Sequence, residues 1–181
     1  RDLHSFPTRR SSDLMFNNCK ELEKLDISSF DTSNVTDMKN MFCSCRKLVE
    51  LDVSGFNTKN VIDMKKMFSG CESLYKLDLS NFNTENVSDM SYMFNRCYSL
   101  YYLDISSFKT FYVINMNKMF YCCRSLREIK DFYFETKNVN NMYDLFYGCS
   151  VLFRTKIKTR LSHLKNKQIY HTKNHENNYY I

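Results

Sequence analysis

The 181-residue chain has three glycines, one proline and no tryptophan. That is too little for a Gly-rich phosphate cradle, a collagen-like repeat or a Pro/Gly-rich disordered chain. No run approaches the roughly 18 consecutive apolar residues that would span a bilayer. Histidine is scarce too: His4, His163, His171 and His175 lie near the two ends, which leaves the long middle of the chain without any. What is present is 43% hydrophobic and 25% charged, enough for an ordered chain with a core. Eight cysteines and a formal charge of +6 suggest a disulfide or metal framework and an acidic partner, so their positions have to be found first.

The charge lies at the ends. Residues 1–14 (RDLHSFPTRRSSDL) share nothing with the rest of the chain and resemble the in-frame translation of a sequencing adapter. They are expected to be a scar of library construction, with the true N-terminus missing. Residues 151–181 carry seven Lys or Arg against one Glu, whereas 15–150 hold 16 basic and 17 acidic residues, a net of −1. The segment 153–181 reads as a basic tail: a cap, a disordered end or an out-of-frame extension. Its Ile157, Leu161 and Leu164 recur at helical steps among lysines, as in a helix lying on an anionic membrane. Aromatic interleaving of the kind that stacks on bases is absent from 154–168, and no nucleic-acid partner is expected.

Between the ends the chain repeats itself. Met-Phe recurs at 15, 41, 67, 93 and 119, and as Leu145-Phe146. The same 26-residue offset links Cys19, Cys45, Cys71, Cys97, Cys123 and Cys149, and also Leu22, Leu48, Leu74, Leu100, Leu126 and Leu152. Five full units and the start of a sixth fill 15–152 without insertion or deletion. In the third, Leu77 and Leu79 alternate with Lys76, Asp78 and Ser80, the period of a strand with one buried face. Asn86 and Asp89 then have the spacing of a capping box, and Val87, Met90, Met93, Phe94 and Cys97 form one apolar stripe. The expected fold is an α/β repeat solenoid like a leucine-rich repeat, with one short parallel strand and one short helix per unit. A single unit cannot bury its apolar positions alone, so only the array is stable.

The pattern running from Leu48 to Cys71, L-x-x-L-D-[ILV]-S-x-F-x-T-x-N-V-x-D-M-x-x-M-F-x-x-C, resembles the 26-residue repeat of the BspA-like leucine-rich repeat family of bacterial surface proteins. The resemblance implies a secreted, lipid-anchored or wall-attached protein, at the cell surface or extracellular. It further implies a repeat face that binds host or matrix proteins, with contact to a membrane only through an anchor outside this sequence. The fourth unit departs from the pattern at Tyr112 and Asn115. The fifth has Lys130 in place of the Asp and Asp131 in place of the inward aliphatic, so its strand is expected to shift or end there.

Six cysteines hold one position on the apolar stripe and read as small packed hydrophobes. Cys43 and Cys122 lack a partner pair at zinc spacing, and neither a metal nor a cofactor is expected. The recurring Asp26, Asp52, Asp78 and Asp104 share one environment, whereas catalytic carboxylates need unlike ones. A structural role suits them, accepting hydrogen bonds from the adjoining turn or from Ser28, Ser54, Ser80 and Ser106. Two positions earlier the residue varies: Lys24, Glu50, Lys76, Tyr102 and Glu128. Variation on a fixed frame suits recognition. The candidate site is therefore a non-catalytic strand face of Lys24, Asp26, Glu50, Asp52, Lys76, Asp78, Tyr102 and Asp104, taking protein or glycan partners. The alternative is a structural envelope protein or an intracellular scaffold.

Overall fold

The computed structural model describes residues 14–131 and 133–160. Residues 1–13 of the adapter-like segment, and the tail with Leu161 and Leu164, lie outside them. Three strands, β1 (Lys76–Asp78), β2 (Tyr102–Asp104) and β3 (Glu128–Lys130), form a parallel sheet in that order. Their register keeps the repeat offset: Leu77 pairs with Leu103, and Leu103 with Ile129. All three point into the core. A second column of parallel bridges runs through Asp37, Asp63, Asp89, Asn115 and Asn141. Successive units thus lie side by side, joined at two places.

The helix expected in each unit is not formed; the only helix among the described residues is α1 (Val151–Arg160). The hydrogen bonds give the reason. Met90, Tyr92, Phe94 and Arg96 send their N–H groups to the next unit, to Asn115, Asn117, Met119 and Tyr121, at 2.8–3.0 Å. Met93, Asn95 and Cys97 instead close tight turns on Met90, Tyr92 and Phe94. An α-helix would send every N–H four residues back along its own chain. Here alternate peptides face opposite ways, because Tyr92 and Arg96 adopt positive φ (59° and 60°), as do Lys66 and Gly70 in the unit before. A succession of four-residue turns carries the same apolar spacing as a short helix, so the stripe is real but its backbone is different. The capping box dissolves for the same reason. Asp89 Oδ1 accepts from Ser91 N–H at 2.7 Å, and Asn86 Nδ2 donates to Lys59 O of the preceding unit at 2.9 Å.

The core is a set of columns. The rings of Phe16, Phe42, Phe68, Phe94, Phe120 and Phe146 stack one on the next at 5.1–5.7 Å. Beside them runs a buried threonine column. Thr58 Oγ1 donates to Asn83 O at 2.9 Å and accepts from Asn83 N–H at 2.8 Å, and Thr32, Thr84 and Thr110 repeat the pattern. One buried hydroxyl so satisfies two backbone groups of the neighbouring unit.

At the far end α1 begins where the sixth unit would continue. Ser150 Oγ accepts from Phe153 N–H at 3.3 Å, the bond of an N-cap. Phe153 and Ile157 are buried, with Phe153 edge-on to Phe146 at 5.9 Å. Leu152, the repeat leucine of this unit, stays 74% exposed, because the helix turns Phe153 inward in its place.

Candidate functional site

The strand face is built by simple alternation. Lys76 and Asp78 point outward on either side of buried Leu77. The carboxylate column ties off the turn that comes after each strand. Asp26, Asp52 and Asp78 accept from the N–H of Ser28, Ser54 and Ser80 at 3.0, 2.8 and 2.9 Å, and Ser28 Oγ adds a bond of 2.7 Å. These bonds hold the carboxyls of Asp26 and Asp52 below the ordinary range, since they favour the charged form. One oxygen of each carboxylate is committed to the fold, and the side chains remain exposed.

Asp104 departs from its column. It is 2% exposed, with Lys130 Nζ at 2.8 Å from Oδ2 and Ser106 Oγ at 2.6 Å from Oδ1. Burial pushes its carboxyl up, and the bonds from Lys130 and Ser106 outweigh that and leave it below the ordinary range. The lysine that replaces Asp in the fifth unit is therefore the partner of the fourth unit's Asp. Beyond it Asp131 turns outward at φ 40° and β3 ends.

The eight candidate residues consequently divide. Lys24, Asp26, Glu50, Asp52, Lys76 and Asp78 line one open groove together with Val49 and Tyr75. At about 1020 Å³ it lies at the top of the range of small-molecule pockets, and it is open. Tyr102 lies instead in a separate cavity against Lys130, Phe153 and Lys156 of the capped end, and Asp104 is withdrawn from solvent. Val49, Tyr75 and Tyr101 were missed from the sequence. They are 48%, 48% and 43% exposed, and the two tyrosine rings stack at 5.5 Å. The signal was available: at the 26-residue offset, the position before Lys24 reads Glu23, Val49, Tyr75, Tyr101, Arg127.

All eight cysteines are free thiols. Cys45, Cys71, Cys97, Cys123 and Cys149 donate to the carbonyls of Phe16, Phe42, Phe68, Phe94 and Phe120 at 3.1–3.2 Å, so each thiol fastens its unit to the one before. Burial pushes Cys45 and Cys97 up to about 12, far from the thiolate that nucleophilic or metal chemistry requires. Among the described residues no three of His, Cys, Asp or Glu converge as a metal site, and no helix is long and apolar enough to cross a membrane.

Residues 10–132 and, overlapping them, 49–160 match the model of a family described as Mycoplasma protein of unknown function, DUF285. No curated protein and no solved structure matches the chain.

Proposed function

The chain belongs to the DUF285 family, and from that premise we propose that its units coil as a solenoid of the BspA-like kind, whose strand face is a non-enzymatic module for binding protein or glycan partners at a cell surface. One observation carries the reading. Six exposed side chains of varied charge, from three successive units, line one groove beside an exposed valine and tyrosine, while the residues that join the units are buried or bonded to backbone. A polymeric ligand suits an open groove that crosses three units better than a small molecule does.

The test is to screen the full chain against immobilised matrix proteins and glycans beside a triple variant, Glu50→Gln, Asp52→Asn and Tyr75→Ala. The face is supported if a ligand retained by the parent chain is lost by a variant that is fully folded at the temperature of the assay. Equal retention by both rejects it. Surface display is checked separately, by labelling intact cells that express the complete gene with a membrane-impermeant reagent.

A further inference from the structure

Resting on that reading, we infer that the groove seats an arginine side chain of a partner polypeptide, its guanidinium held by Glu50 and Asp52 and lying against the ring of Tyr75. The charge is focused at the second unit. In the first and third units each outward Asp has a lysine two residues before it, Lys24 with Asp26 and Lys76 with Asp78. In the second that position is Glu50, so Glu50 and Asp52 stand together as two carboxylates.

Ion pairs one unit apart do form elsewhere along the array: Lys47 with Glu21, Arg46 with Glu72, and Lys130 with Asp104. Among the described residues neither Glu50 nor Asp52 has such a partner, although Lys24 and Lys76 lie one unit away on either side. Asp52 gives one oxygen to Ser54 N–H at 2.8 Å. The Ser54 side chain bonds the same carboxylate and favours its charged form, and both Asp52 and Glu50 stay exposed to a cation.

A cation entering here meets more than charge, because Val49 and Tyr75 line the same groove and are each 48% exposed. A guanidinium matches both features: its planar fork bonds carboxylates bidentately, and its face stacks on an aromatic ring. A lysine ammonium satisfies the first feature but stacks poorly. A neutral sugar satisfies only the second.

The test titrates the full chain with a fluorescent twelve-residue Arg-Ser repeat peptide, its lysine and citrulline counterparts, and chitohexaose. The expected order is arginine above lysine, with citrulline and the sugar at least tenfold weaker. Glu50→Gln with Asp52→Asn should weaken the arginine peptide about tenfold and Tyr75→Ala several-fold. Glu85→Gln, outside the groove, should leave affinity unchanged, and all variants should keep the parent's circular dichroism and stay folded at the temperature of the titration. Binding should also weaken as salt is raised. No saturable arginine binding, or binding equal in the double variant or with citrulline, overturns the inference. If chitohexaose binds and is lost with Tyr75→Ala, the arginine assignment falls while the strand-face reading survives.

Discussion

On the turn side of the array every unit from the first to the fifth sends N–H groups to the next at 2.6–3.0 Å, from Phe16 to Met41 through Cys122 to Tyr147. On the strand side, sheet pairing among the described residues is confined to β1, β2 and β3. The bond that opens each strand shows the same fading. It is 2.8 Å from Tyr101 to Tyr75 and 3.0 Å from Arg127 to Tyr101, but 3.4 Å from Tyr75 to Val49 and from Val49 to Glu23. The groove lies over the weakly paired end. The lesson is a division of labour: turns, threonines, thiols and stacked phenylalanines hold the units together, which frees the strand face to vary in sequence and to stay open.

The largest test of this division is Phe94→Ala. The ring is fully buried between Phe68 at 5.7 Å and Phe120 at 5.4 Å. Its loss should cost about 3–5 kcal/mol in urea unfolding. Units that contact only their neighbours can then separate into two transitions. A loss below about 1 kcal/mol would mean that the column does not carry the stack. Thr84→Val comes next. The valine keeps the volume but strands the N–H and carbonyl of Lys109, both now bonded to Thr84 Oγ1, at a cost of about 1–3 kcal/mol, and Thr84→Ser should restore most of it.

How much of this was legible in the sequence depends on the column. The 26-residue register and the inward positions could be read from Met-Phe, Cys and Leu alone, because burial in a repeat imposes the same residue at the same offset. The turn backbone could not, since a helix and a run of four-residue turns place apolar side chains at nearly the same spacing. Lys66, Tyr92 and Lys118, which take the left-handed region, are not residues that announce it. The threonines were visible only as a repeated letter, because nothing local says that a hydroxyl will bond the backbone 25 residues away. At the candidate site the outward Asp positions were legible, but the burial of Asp104 depends on Lys130 of the next unit, a contact between two departures from the pattern.

The turn column also contains its own control. Asp37, Asp63 and Asp89 stack at the bridge position, and the next two units place Asn115 and Asn141 there. Burial, with Asp37 and Asp89 on either side, raises the Asp63 carboxyl above the ordinary range against the bond from Lys65 N–H. A carboxyl raised on folding opposes stability above its folded pKa, and the penalty fades as pH falls through that value. Asn115 shows the relief, since its Nδ2 donates to Asp89 Oδ2 at 3.2 Å while its Oδ1 still accepts from Asn117 N–H at 3.1 Å. Asp63→Asn should therefore stabilise the chain at neutral pH, by under about 1 kcal/mol because water screens the half-buried group. Melting curves across pH should show the gain vanishing in acid; a gain independent of pH would reject the electrostatic cause.

The smallest effect sharpens the comparison from the other side. Tyr75 is half exposed and touches the stack chiefly through Tyr101, whose ring it meets at 5.5 Å. An aromatic pair contributes about 0.5–1.5 kcal/mol, and less where water reaches both rings. Tyr75→Ala should cost under about 1 kcal/mol in the same urea titration that registers Phe94→Ala and Thr84→Val. If it instead cost as much as the threonine, the strand face would be part of the scaffold, and its exposed tyrosines would need no partner to explain them. If it costs little, the 26-residue frame spends little of its stability on that ring, and the half-exposed side chain stays available for the partner proposed above.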